Sequence, residues 1–144
     1  MDLLKLAALD EEDLKIISAH VQDAVLKVGD LVFRPREKRF VAGMNRFVWE
    51  KKQQFFNRSS ERRRSVLHFD RVLSVQAAGI DREKPDDVLS LLALRFTPGE
   101  MPAGALELLF SGGATIRLEV ECIEARLTDL GAAWETASRP THKD

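Results

Sequence analysis

The sequence predicts an antiparallel, β-rich α+β fold, with about seven strands set between an N-terminal and a C-terminal helix. Three observations predict it. Leu14, Ile17, Val21 and Ala24 recur at helical spacing just behind an acidic start. The chain then breaks into short apolar runs joined by hairpin-sized connections, with no helical stretch between them, which implies antiparallel pairing. Finally, Ile116, Val120, Ile123, Leu127 and Leu130 return to helical spacing. A terminal helix over the open end of a strongly bent sheet is the plan of a pleckstrin-homology-like (PH-like) barrel; an open antiparallel sheet covered by two helices is the alternative.

The first helix is expected over about residues 10–23. Asp10 can cap free N–H groups, and Glu11, Glu12 and Asp13 suit the positive end of the helix dipole. "AVLKV" and "LVFRP" read as strands around a Gly29-Asp30 turn. "KRFVAGMNRFVWE" reads as a long strand with a bulge or bend at Gly43. "EKKQQFFNRSSERRR" reads as a polar loop carrying Phe55 and Phe56. "SVLHF" and "RVLSVQAAGI" read as strands around Asp70-Arg71, followed by the polar turn "DREKPDD". "VLSLLALRF" is another strand, and Pro98, Gly99, Pro102 and Gly104 punctuate the loop after it. "ALELLF" and "ATIRLEV" form a hairpin around Ser111-Gly112-Gly113. Strand and helix periods overlap within residues 114–120. The reading places a strand to about Val120, then a helix to Leu130 that Gly131 stops, with Trp134 packed back on it.

The 144 residues suit one domain, 1–144, with an ordered part over about 3–136 and a loose tail over 137–144. A chain of this length buries roughly 68–70% of its unfolded surface, enough for a core without staples. The longest apolar runs, such as "VLSLLAL", fall far short of the ~20 residues of a membrane-spanning helix. "MDLLKLAALDEED" lacks the basic and apolar regions of a signal peptide, and one cysteine, Cys122, makes no internal disulfide. A cytoplasmic location is therefore expected.

Little in the sequence points to catalysis. His20, His68 and His142 form no ligand pair with one another or with Cys122, so no metal is expected. His68, between Leu67 and Phe69, reads as a surface or cross-strand histidine. Cys122, at the start of the expected last helix, reads as a packed structural thiol. Glu119, Glu121 and Glu124 would there favour the helix dipole. "FSGGATIRL" lacks the lysine and the spacing of a phosphate loop. No catalytic residue and no cofactor are assigned, and a non-enzymatic protein is expected.

Charge is the one asymmetric feature. Residues 34–64 hold 11 of the 22 Lys and Arg and only 3 of the 23 Asp and Glu, net +8, against net −9 for the remainder. Lys51, Lys52, Arg58, Arg62, Arg63 and Arg64 are the candidate anion-binding residues, with Phe55 and Phe56 able to stack on bases or enter a membrane interface. Against one continuous patch stand Glu50, Glu61 and strand geometry, since Arg62 and Arg64 share one face and Arg63 takes the other. A solvated hairpin loop with its two Phe packed on the sheet is the plain alternative. No recognition motif accompanies the charge.

"ISAHVQDAV", "NRFVWE", "RRRSVLHFDRV" and "IRLEVECIEARLTDLGAAWET" resemble domain-of-unknown-function family 2948 of the alphaproteobacteria, over about residues 3 to 140. The resemblance implies a small cytoplasmic bacterial protein and carries over no activity, ligand or catalytic residue. The expectation is a non-enzymatic binding or adaptor module of PH-like fold, engaging a protein partner or an anionic ligand. The alternative is an anion-binding module for nucleic acid, a phosphorylated ligand or an acidic partner, built on residues 34–64.

Overall fold

The computed structural model describes residues 3–48 and 62–132. Its elements run β1 (Lys5–Ala8), α1 (Glu11–His20), β2 (Val25–Lys27), β3 (Leu31–Arg34), β4 (Arg39–Phe47), β5 (Arg62–Phe69), β6 (Val72–Ala78), β7 (Val88–Pro98), β8 (Gly104–Phe110), β9 (Thr115–Val120) and β10 (Ala125–Ala132). Short 3-10 turns occupy Val28–Asp30, Pro35–Glu37 and Ser111–Gly113.

The strands form one ten-stranded antiparallel sheet in the order β1-β10-β5-β4-β2-β7-β8-β9-β6, with β3 a side branch on β4. Ala8 of β1 and Val72 of β6, at opposite ends of that order, belong to the same buried cluster. The sheet therefore curls over its own apolar face. It does not close into a barrel, because β1 pairs only with β10 and β6 only with β9. β7 turns the corner: Val88, Leu89 and Ser90 pair with β2, and Leu91 onward pairs with β8. A second corner lies where β5 runs into β6 and β9 into β10. There Asp70 N donates to Glu124 O and Glu121 N to Arg71 O, both at 2.9 Å. α1 starts as expected, with Asp10 accepting from Asp13 N at 2.8 Å, and buries Leu14 and Ile17. Leu94 N donates to Ser18 Oγ at 3.0 Å, which ties the helix to β7.

Alternation decides which side chains enter the core. β4, β5 and β10 stack Phe40, Phe69 and Ala125 in one row, then Ala42, Leu67 and Leu127, then Met44, Ser65 and Asp129. The next row pairs Arg46 with Arg63. The buried face is thus apolar at one end and ionic at the other.

Several expectations need correction. The fold is not α+β with two helices, neither as a PH-like barrel of about seven strands nor as an open sheet under two helices: the described residues form ten strands, and Ala125–Ala132 is β10, not a C-terminal helix. The inward residues are Ile116, Leu118, Val120, Ile123, Ala125, Leu127 and Asp129. The corner between Val120 and Ala125 shifts a period of two by one residue, so part of this set imitates helical spacing. Leu130, which the helix would have buried, is 57% exposed. Gly131 sits where the β10–β5 register shifts, at φ 151, and stops no helix. β1, over Lys5–Ala8, is a strand ahead of α1 that the sequence reading did not include. Gly43 is no bulge, since the β4–β5 register runs unbroken from Phe40 to Phe47. A Cβ there would lie 2.9 Å from Arg64 Nη2, so the glycine makes room for Arg64 to cross β4. Phe55, Phe56, Trp134 and the 137–144 tail lie outside the described residues.

Gly104, the first residue of β8, marks the tightest strand contact. A Cβ there would lie 2.5 Å from Thr97 O and 2.6 Å from Phe96 Cζ. Gly104→Ala is expected to cost about 1–3 kcal/mol by overpacking, read as a lower urea midpoint at constant slope. An unchanged midpoint would mean that Phe96 and the β7 backbone yield freely.

Candidate functional site: an apolar cleft at the open seam

Among the described residues β1, β3 and β6 each pair on one side only, and the free edges of β3 and β6 flank a seam. Hydrogen bonds stitch the seam near both ends. Val72 N donates to Lys38 O at 2.9 Å at one end. At the other, Gly29 N donates to Pro85 O and Val28 N to Asp87 O, each at 2.9 Å, docking the 79–87 loop on the turn before β3. Between these stitches β3 and β6 do not pair. The gap is a cleft of about 600 Å³ that reaches the buried face of the sheet. Leu31 and Phe33 line it from β3, Val75 and Ala77 from β6, and Phe40 and Ile116 from the floor. Among the described residues, Arg82 is the one charged residue in the lining.

The 79–87 loop is a defined structure. Asp81 Oδ1 accepts from Glu83 N at 3.0 Å, Asp81 O from Lys84 N at 3.0 Å, and Lys84 O from Asp87 N at 3.1 Å. Gly79 enters it at φ 76, a left-handed conformation that a side chain disfavours, with Ala114 close by. These bonds place Arg82 at the rim of the cleft.

The described part of the basic segment sends its candidate arginines to different places. Lys51, Lys52 and Arg58 lie outside the described residues. Arg62 lies over the Phe47 ring, 4.0 Å from its centroid, with Nη1 buried and without a hydrogen-bond partner among the described residues. Arg64, on the same face, donates to Asp30 Oδ2 at 3.2 Å. Arg63 points inward and is buried, with Nη1 3.5 Å from Asp129 Oδ2. The alternation in "RRRS" separates Arg63 from Arg62 and Arg64 as the strand geometry predicted.

Asp129 is the hub of the buried ionic row. Arg46 grips it with two hydrogen bonds, Nε to Oδ1 and Nη2 to Oδ2, both 2.8 Å. Ser65 Oγ donates to Oδ1 at 2.6 Å and Leu4 N to Oδ2 at 2.9 Å. Burial pushes the carboxyl pKa up, but the bonds from Arg46, Ser65 and Leu4 N and the Arg46 charge outweigh it, and the pKa is lowered to about 2. The cluster is a sealed structural feature, since Arg46, Arg63, Ser65 and Asp129 are all buried.

The remaining candidates fall at the second corner. Cys122 is half-buried in the β9–β10 connection, not at a helix start. Glu119, Glu121 and Glu124 serve no helix dipole. Glu119 accepts from Arg117 at 2.8 Å, Glu121 from Lys38 at 2.7 Å, and Glu124 from Arg71 at 3.4 Å. His68 faces outward, 3.8 Å from Asp70; burial lowers its pKa, with Asp70 opposing. Among the described residues no group of three or more His, Cys, Asp or Glu is placed to hold a metal. No helix among them is long and apolar enough to cross a membrane.

Sequence reasoning missed the cleft and Arg82. The available signal was "VLSVQAA", a strand without a charge on either face. In β6 only Val72 is fully buried, and such a strand needs another surface against it.

The chain has no match among the curated proteins and none among the solved structures. A family model, "Protein of unknown function (DUF2948)", matches residues 4–142, nearly the whole chain. The chain therefore belongs to the family DUF2948.

Proposed function

We propose that the protein is a non-catalytic binding module and that the cleft between β3 and β6 is its ligand seat. The cleft itself carries the reading. At about 600 Å³ it falls within the roughly 300–1,000 Å³ typical of small-molecule sites, and among the described residues its lining side chains are apolar except for one guanidinium. A guanidinium stays protonated, so it can orient a ligand but does not exchange protons as a general acid or base. Among the described residues no nucleophile or carboxylate lines the cleft beside it. The cleft is favoured over residues 34–64 as the seat because Arg63 and Arg64 already bond carboxylates within the protein.

The test is a methyl-detected NMR titration with small apolar fragments such as naphthalene and indole. Shifts are expected at Val28, Leu31, Val75 and Ile80, which line the cleft. They should vanish in Ala77→Phe, which puts a ring into the gap from an exposed position on β6. Shifts elsewhere, or shifts that survive Ala77→Phe in a folded variant, would remove the cleft as the seat.

A further inference from the structure

Resting on that reading of the cleft, we infer that its ligand is an organic monoanion with an apolar body, a carboxylate or sulfonate whose head group meets Arg82 while the body lies between β3 and β6.

The head group follows from the state of Arg82. No hydrogen bond or ion pair ties Arg82 to another described residue. Five arginines of the sheet are bound to carboxylate, Arg39 to Asp70 at 2.7 Å, Arg46 to Asp129, Arg64 to Asp30, Arg95 to Glu107 at 2.6 Å and Arg117 to Glu119, whereas Arg34, Arg62 and Arg126 are bound to none among the described residues; of these last three and Arg82, Arg82 lines the cleft. Carboxylates also stand on both sides of Arg82, yet neither takes it. Asp81 is turned into its own loop, accepting from Glu83 N. The fork of a guanidinium fits a planar carboxylate and also accepts a sulfonate, and the loop bonds fix where it stands.

The count of one charge follows from the loop's other residues. Asp81, Glu83, Asp86 and Asp87 are all exposed, with only Arg82 and Lys84 as cations between them. A phosphate dianion, a nucleotide or a nucleic-acid backbone would bring several charges toward this acidic rim and gain one partner. A single charge gains the same partner with the least repulsion. The body of the ligand follows from the floor. Leu31, Phe33, Phe40, Val75, Ile80 and Ile116 offer no polar side chain, so away from the open backbone edges of β3 and β6 a polar body would lose water with little replacement.

The experiment is calorimetric titration of the whole chain with decanoate, its neutral counterpart decanol and inorganic pyrophosphate, repeated on Arg82→Gln and Ala77→Phe. Decanoate should bind, and Arg82→Gln should weaken it about three- to tenfold, the range for a charged hydrogen bond at a solvent-facing rim. Decanol binding should not change in Arg82→Gln, and pyrophosphate should not bind. Equal binding of decanoate and decanol, both indifferent to Arg82→Gln, would overturn the monoanion while leaving the cleft as the seat. Pyrophosphate binding lost in Arg82→Gln, or no decanoate binding at all, would also overturn the monoanion, and the apolar-fragment titration then judges the cleft alone. Decanoate binding that persists in folded Ala77→Phe would overturn both.

Discussion

Asp129→Ala is expected to destabilise the protein by about 3–5 kcal/mol, the usual cost of removing one partner from a buried ion pair. The carboxylate accepts four close hydrogen bonds, two from Arg46, one from Ser65 and one from Leu4 N. Without it, Arg46 loses its bidentate acceptor in a fully buried position. Two measurements check this. Chemical denaturation should show the loss as a lower midpoint at constant slope, and a change below about 1 kcal/mol would mean that water or another acceptor replaces the carboxylate. The second is the acid limb of the stability curve. The folded pKa of about 2 lies below the ordinary 3.8, so the folded state favours the charged form. That stabilisation is fully present above about pH 4 and fades as pH falls toward 2. Over that window it amounts to about 2 kcal/mol, at about 1.4 kcal/mol per pKa unit. Asp129→Asn should lack this part of the acid dependence.

Phe69→Ala is the second large effect, an expected loss of about 3–5 kcal/mol from lost transfer energy plus the cavity left behind. Phe69 is 1% exposed and is the last residue of β5 before the sheet turns into β6. It stands opposite Phe40 on one side and Ala125 on the other. No neighbour can refill the space easily, since Asp70 N is bonded to Glu124 O and holds the corner in place. Phe69→Leu keeps most of the volume and should cost less, about 1 kcal/mol. If Phe69→Ala cost no more than Phe69→Leu, the corner would be able to collapse, contrary to the hydrogen bonds seen there.

What could be read from the sequence was whatever depends on neighbours in the chain. The cap at Asp10 and the facing of Arg62, Arg63 and Arg64 are local, and both stand in the structure. The last element was misread because a turn of four residues between two strands displaces the alternation. Leu127 then lands in phase with Ile116, Val120 and Ile123 as though on a helix. No local pattern separates the two. The decisive fact is that Ala125–Ala132 has β5 on one side and β1 on the other. The ionic row was hidden for a similar reason. Arg46 continues the inward phase of Phe40, Ala42 and Met44, which is visible, but its partner lies 83 positions away. Arg82 sits in what reads as a polar turn. Only the docking of that turn on Val28 and Gly29 turns it into the rim of a cleft.

The pairing of β1 with β10 has a further consequence, in time rather than in space. Leu4 N and the Asp129 carboxylate are separated by 125 positions, and β1 has no other strand to join. During synthesis β1 must wait until almost the whole described chain has emerged, and the buried ionic row cannot form before then. Contacts of this span pay their loop-closure entropy late, which places the fold among slow, high-contact-order topologies. Until β10 arrives, β1 and the free flank of β5 are open strand edges, the surfaces through which nascent chains associate wrongly.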